Sequence, residues 1–456
     1  MKTENARPNV VVFFTDQQRW DSTGVHGNPL ELTPNFDRIA KQGTHASRAY
    51  TCQPVCLPAR AALQTGIYPS NIGCHTNGGQ LDASRKTLGH YFKEAGYSTG
   101  YIGKWHLAKT GTDPVPPEVR AGYDHWLGAN VLEYTSDAYF TVLHDKDGKP
   151  VELPGFRVDA VADAGIRFMH ERRTEPFFLM MSFIEPHFQN HRDDYPAPVG
   201  YAERYTGRWT PPDLQALGGT SARHIGGYWG MVKRLDEAFG RVLDALLSMG
   251  LAENTIVVFT TDHGCHFKTR NSEYKRSCHE SSTRIPMAFT GGDFTGGGEV
   301  PGLVSLIDLP PTLLDAAGLP VPAEMQGRSL MPLVRRQTRE AQDEVFIQIS
   351  ESMCGRALRH GRWKYSVRQA DDADWGKPAA ARYVEDFLYD LQGDPYELNN
   401  LIGLASLAEV QAMLRGRLIA KIREIERLDA EILPAAVKQA GHLYKWNIRP
   451  LTEWQA

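Results

Sequence analysis

Short apolar runs that end abruptly in polar residues recur along this chain. Residues 9–14 (NVVVFF) form an unbroken, β-branched run that stops at Thr15-Asp16-Gln17-Gln18. A run without alternation predicts a strand buried on both faces of a parallel sheet, delivering polar groups at its C-terminal edge. Residues 97–102, 177–184 and 255–259 repeat the format and run into Lys104-Trp105-His106, Glu185-Pro186-His187 and Asp262-His263-Gly264. Between the runs the period lengthens. Residues 87–95 (TLGHYFKEA) have a helical period, with Gly96 as the C-cap. Val232, Leu235, Phe239, Val242 and Leu246 recur at spacings of three and four, one face of a helix over 228–249 that stops at Gly250. Strands alternating with helices predict an α/β fold with a mostly parallel sheet. Ligand sites in such folds lie beyond the C-terminal ends of the strands.

The pattern changes late in the chain. Residues 318–323 (GLPVPA) and the charged stretch 335–344 mark a boundary between a larger unit, 1–340, and a smaller α+β unit, 341–456. The second unit carries predicted strands at 344–349 and 363–367 and a helix over 406–432. The Gly-rich segment 291–298 lacks the Gly-Lys-Ser/Thr of a phosphate loop and reads as a plain loop. The aromatic tail 444–454 is a candidate for docking on a second copy, as a homo-oligomer.

Composition alters this picture little. The chain has 456 residues, 23% charged and 41% hydrophobic, ordinary for a globular protein. Its formal charge is −4 with no basic block, so no electrostatic case exists for a nucleic-acid partner. No run reaches the length of a membrane span, and the apolar run at 10–14 is too short and poorly flanked for a signal peptide. The expectation is a cytoplasmic protein with no membrane association, its six cysteines reduced.

Asp16, Gln17, Asp262 and His263 end two of the predicted strands. Carboxylate, amide and imidazole groups together suit Ca²⁺, Mg²⁺ or Mn²⁺, the imidazole tilting the set toward Mn²⁺. Read by spacing alone, the same residues equally serve as caps of turns and helices. Cys56, followed four residues on by Arg60, is either an activated thiolate or a buried thiol near a surface arginine.

The wider context narrows this. Cys56-Leu57-Pro58-Ala59-Arg60 with Thr65-Gly66, Gly103-Lys104-Trp105-His106-Leu107, Pro186-His187, Thr261-Asp262-His263-Gly264 and Lys275-(x)4-Glu280-(x)3-Arg284-Ile285-Pro286 follow one another in order. Downstream come Asp308 to Leu314 (DLPPTLL), Gln326-Gly327-Arg328-Ser329-Leu330 and the 388–401 segment with Asp394-Pro395-Tyr396-Glu397. Together these resemble the type I sulfatases, arylsulfatase-like members of the alkaline phosphatase superfamily. The resemblance implies an alkaline-phosphatase-like sheet sandwiched by helices, with a small C-terminal α+β domain. It implies that a maturase oxidises Cys56 to formylglycine (3-oxoalanine), whose hydrate attacks a sulfate ester. Cys52 also has a following proline, but Cys56 stands where the arginine is required. Asp16, Gln17, Asp262 and His263 would hold one divalent cation beside position 56, Ca²⁺ first and Mn²⁺ as the alternative. Arg60 would hold position 56, and Lys104 and Lys275 would neutralise the ester. His106 would assist proton removal, His187 would protonate the leaving group, and Asn77 would face the substrate.

One departure stands out: many sulfatases carry Asp-Asp where this chain has Asp16-Gln17. Asp-Gln also occurs in formylglycine-dependent phosphonate monoester and phosphodiester hydrolases, which is the alternative activity, alone or mixed. Lys104 and His106 argue against it, and the intact motifs argue against an inactive, binding-only member. Specificity is expected from segments 111–145, 191–222 and 370–382, which contain Trp126, Tyr134, Trp209 and Trp375. For each of these rings, packing is the simpler reading than stacking on a sugar or aryl group.

Overall fold

The computed structural model describes residues 7–370 and 376–436. The four apolar runs are neighbouring strands of a nine-stranded sheet: Thr255–Thr261, Asn9–Thr15, Phe177–Ser182 and Ser98–Lys104, in that spatial order. All three pairings between them are parallel, as is the next one, with His125–Ala129. Antiparallel strands complete both edges, Met287–Thr290 and Thr44–His45 on one side, Thr141–His144 and Pro150–Leu153 on the other.

The unbroken apolar runs follow from burial on both faces. Val10, Val12 and Phe14 point into one core with Leu57, Leu63, Phe92 and Leu313. Val11 and Phe13 point into the opposite core with Ile39, Val161, Leu235 and Phe239. The long helix is Ser221–Ser248, and the whole predicted stripe from Val232 to Leu246 is buried. The shorter helix is Leu88–Glu94, with Thr87 and His90 in a reciprocal capping box at its start and Gly96 at φ +82 after its end.

The C-terminal part is a five-stranded sheet in the order Glu344–Ile349, Gly355–His360, Trp363–Gln369, Arg382–Asp390 and Glu431–Leu433. Two of its strands, Gly355–His360 and Arg382–Asp390, carry too many charged residues to show an apolar run in sequence. The predicted helix over 406–432 is corrected: it spans Ala408–Glu426 and stops at Arg427, which adopts φ +58. That left-handed turn reverses the chain, so Ile432 pairs with Tyr383 in the sheet instead of extending the helix. The segment 111–145 is likewise more structured than a loop, since it contains His125–Ala129, Leu132–Thr135 and Thr141–His144. Trp126 is buried and stacks on Tyr101, and Trp209 stacks on Trp229. Trp375 and the aromatic tail lie outside the described residues. Among the described residues, no helix is long and apolar enough to cross a membrane.

Candidate active site

Parallel strands that start at one edge of a sheet end at the other, so the polar residues after each apolar run meet there. Cys56 faces this edge as the first residue of the helix Cys56–Thr65, all ten residues of which are buried. The helix N-terminus adds positive potential at the sulfur. Lys275 Nζ lies 2.8 Å from Cys56 Sγ, His263 Nε2 3.3 Å and Asp16 Oδ1 3.7 Å. Burial opposes ionisation of this thiol, but Lys275, Lys104 and His263 outweigh it and hold Cys56 well below the usual thiol range. Cys52 behaves oppositely: it is packed in apolar core, and burial pushes its thiol up. Asn77 Oδ1 accepts the Leu57 N–H at 3.1 Å, so this side chain caps the first turn of the helix bearing Cys56.

Asp16, Gln17, Asp262 and His263 converge beside the sulfur. One donor atom each from Asp16, Cys56, Asp262 and His263 falls within 4.8 Å of the others. Gln17 adopts φ +67, its N–H donates to Asp262 Oδ1 at 2.9 Å, and its Nε2 donates to the Tyr195 hydroxyl at 3.2 Å. This leaves Gln17 Oε1 buried without a hydrogen-bond partner; Asp262 Oδ2 also makes no hydrogen bond, though Arg60 Nε lies 3.6 Å from it. His263 Nδ1 donates to the Gly264 carbonyl at 2.9 Å, which turns Nε2 toward the sulfur and Asp262 Oδ2. Burial, then the neighbouring charge of Asp16, pushes Asp262 up to about 7. Asp16 feels the same burial and the Cys56 charge, yet Lys104, His187 and Arg60 hold it far below the usual carboxylate range. Two buried carboxylates, an orphaned amide oxygen and an imidazole nitrogen turned toward them fit a divalent cation.

The basic residues form a shell around this corner. Arg60 Nη2 donates to Asp16 Oδ2 at 2.8 Å, and its Nη1 reaches the Lys104 carbonyl and Ser182 Oγ. Lys104 is fully buried, with Nζ 3.0 Å from Asp16 Oδ2 and 3.1 Å from Glu133 Oε1. His187 Nε2 lies 3.0 Å from Lys275 Nζ, while its Nδ1 donates to the Phe188 carbonyl. Burial and then Lys275 lower the pKa of His187. His106 adopts φ +55, lies close enough to Cys56 to help lower its pKa, and keeps Nδ1 buried without a hydrogen-bond partner. Every candidate residue named from the sequence is therefore in this one cluster or, for Asn77, one hydrogen bond from it.

Sequence reasoning missed several supporting groups. Glu133, Ser182 and Tyr195 have no local signature that separates them from other acids, serines and tyrosines. The Arg157–Glu185 ion pair, 2.7 Å and buried on both sides, anchors the loop that carries His187.

The profile of the sulfatase family matches residues 8–319, about two-thirds of the chain. This chain belongs to the sulfatase family. A second profile, described as N-sulphoglucosamine sulphohydrolase, C-terminal, matches residues 273–424 of the sulfatase. The sulfatase is 30% identical to the uncharacterized sulfatase YidJ of Escherichia coli over 97% of this chain and 90% of that protein. It is 29% identical to the ulvan-active sulfatase of Formosa agariphila over 92% of this chain and 82% of that protein. The solved structure of yidJ from Bacteroides fragilis superposes with a TM-score of 0.80 at 25% identity, covering 93% of the sulfatase and 97% of that chain. The fold is accordingly alkaline-phosphatase-like, and the enzyme is a sulfuric ester hydrolase.

Proposed function

We propose that this sulfatase acts through Cys56 after a maturase has oxidised it to formylglycine, and that its substrate is a sulfated sugar. The observation that carries the reading is the convergence on one sulfur of Lys275, His263 and Asp16, three residues from three distant motifs. Hydrated formylglycine supplies two hydroxyls on one carbon, one to attack sulfur and one whose deprotonation releases sulfate. A divalent cation held by Asp16, Gln17, Asp262, His263 and position 56 would acidify the attacking hydroxyl and polarise the ester. Ca²⁺ is the ion we expect, with Mn²⁺ as the alternative, because oxygen donors dominate the set and one donor is an imidazole.

The chain's own residues account for the remaining steps. Arg60 anchors Asp16 and, through Asp16 and Ser182, the geometry around position 56. Lys104 and Lys275 offset the charge that develops on the sulfuryl and leaving oxygens. His106, against the sulfur with one ring nitrogen free, is placed to take the proton from position 56. His187 is placed to protonate the leaving oxygen, next to Lys275. Asn77 enters through the nucleophile's helix, whose first turn it caps. We assign catalysis to residues 1–340, with 341–456 as a smaller C-terminal domain packed beside it. The sugar assignment is supported by the ulvan-active relative from Formosa agariphila.

The test is mass spectrometry of the Cys56 peptide from active protein, alongside sulfate release from nitrophenyl sulfate and hydrolysis of a phosphonate monoester. We expect the mass loss of a thiol becoming an aldehyde and a clear preference for the sulfate. An unmodified thiol in fully active protein overturns the mechanism, and preference for the phosphonate overturns the substrate class.

A further inference from the structure

Glu133 is a negative charge inside a site built for an anion. It lies on the four-residue helix Leu132–Thr135, just beyond the C-terminal end of the strand His125–Ala129. Its side chain is 4% exposed, and one carboxylate oxygen, Oε1, takes the Lys104 ammonium at 3.1 Å. The other, Oε2, is shut off from solvent and has no hydrogen-bond partner. The carboxylate also lies within electrostatic reach of His106 and His187.

Holding Lys104 does not explain this residue. Asp16 already pairs with Lys104 at 3.0 Å, and Arg60 pairs with Asp16 in turn. A second carboxylate beside Lys104 weakens the attraction of the site for a sulfate ester. Leaving one of its oxygens buried and unbonded is a further penalty. The residue is nevertheless fixed in place. Gln189 Nε2 donates to the Glu133 carbonyl at 2.6 Å, and Arg157 ties Gln189 to Glu185 in the loop that carries His187. The adjoining Tyr134 is 55% exposed, so the short helix that buries Glu133 reaches the molecular surface one residue later.

An ionised carboxylate only accepts hydrogen bonds, so its partner must be a donor. We propose that Glu133 is a specificity-determining residue whose free oxygen accepts a hydrogen bond from a hydroxyl or amine on the carbon next to the sulfate ester. The substrate class is then a sugar sulfate with a free donor at that neighbouring position. A second sulfate there would meet a like charge, so vicinal disulfates are selected against. This inference rests on the reading of position 56 as the nucleophile of a sulfated-sugar hydrolase.

The experiment compares matured wild type with Glu133→Gln on four esters: nitrophenyl sulfate, a hexose monosulfate with a free neighbouring hydroxyl, its methyl ether at that hydroxyl, and the vicinal disulfate. In the variant, Lys104 takes the amide oxygen and the NH₂ faces the substrate, so the charge-assisted bond from the substrate donor to a carboxylate is lost. We expect kcat/KM for the hydroxyl-bearing sugar to fall about tenfold or more beyond any fall for nitrophenyl sulfate. The disulfate should gain on the monosulfate in the same variant. Wild type alone should discriminate about tenfold or more against the methyl ether, a result that does not depend on how the variant folds. Equal falls on the sugar and the nitrophenyl ester, or a methyl ether as good as its parent, overturn the proposal and leave Glu133 a positioning residue for Lys104. Failure of matured wild type to release sulfate from any of the four overturns the underlying reading, and the proposal with it.

Discussion

Two clusters of buried charge lie in this molecule, and they are built on opposite plans. The first surrounds Cys56. The second joins the C-terminal sheet to the short helix Glu280–Thr283: Lys364, fully buried, sits 2.6 Å from Glu280 Oε1 and 3.2 Å from Glu397 Oε1 and donates to Thr283 Oγ1. Tyr50 donates to Glu280, and Arg359 donates to Tyr50. Here Glu280 Oε1 and Glu397 Oε1 also lack a hydrogen-bond partner, but both lie against the Lys364 ammonium, and the Glu280 N–H donates to Glu397. Around Cys56 the balance is deliberately incomplete. Gln17 Oε1, Glu133 Oε2 and His106 Nδ1 are buried without a hydrogen-bond partner, and Asp262 Oδ2 has only the longer contacts to Arg60 Nε at 3.6 Å and His263 Nε2 at 3.5 Å. Burial of charge is thus no sign of function in itself. Atoms without a hydrogen bond occur in both clusters; what sets the first apart is that the Gln17 amide oxygen and a His106 ring nitrogen have no ammonium beside them, as the glutamates around Lys364 do, and such groups call for a ligand.

The largest effect that separates the two clusters is Cys56→Ala. It should lower kcat by roughly 10⁴-fold or more, about 5.5 kcal/mol in the barrier, while thermal unfolding stays where it was. A large fall in melting temperature would show that Cys56 belongs to the structural class. Lys364→Ala should do the reverse. It strands Glu280 and Glu397 and should destabilise the fold by about 3–5 kcal/mol in urea unfolding, with a far smaller loss of activity per folded molecule at low temperature. Removing divalent cations comes next. With cation restored to about a hundredfold excess over Kd, the first cluster should regain ~2.7 kcal/mol of stability, a gain that Asp262→Asn should reduce. Calorimetry in which the cation leaves both proteins unmoved would break the fit drawn for Asp16, Gln17, Asp262 and His263.

The smallest effect is a pH dependence of the second cluster. Burial pushes Glu397 up from 4.5 to about 7; Lys364 opposes the rise and the Glu280 charge adds to it. A folded value above the unfolded one favours the protonated form. Its contribution is fully present below pH 4.5 and is lost as pH rises through about 7. Glu397→Gln should flatten this fall in stability between those limits, by on the order of 1 kcal/mol. A wild-type profile that rises over the same window would contradict it.

The sequence alone determined the strand starts, the polar residues at their ends and the preference for Cys56 over Cys52. Those features are local. An unbroken apolar run has one stable use, between two helix layers, and a proline and arginine at fixed offsets are visible without any fold. Tertiary structure decided the rest. The charged strands Gly355–His360 and Arg382–Asp390 form only because neighbours pair with them, and the last helix stops at Glu426 because Ile432 finds a partner in Tyr383. In the site, Gln17 meets Asp262 across 245 residues, and its orphaned oxygen exists only because Tyr195 takes its NH₂. Glu133 is one of 54 acidic residues in the chain, and nothing near it in sequence marks it. Its burial against Lys104 depends on the register of two parallel strands, Gly103 beside Gly128 and Lys104 beside Ala129. Local sterics and periodicity set what each segment can be, but which unpaired charges face one another is a property of strand order and register, and only the assembled sheet specifies those.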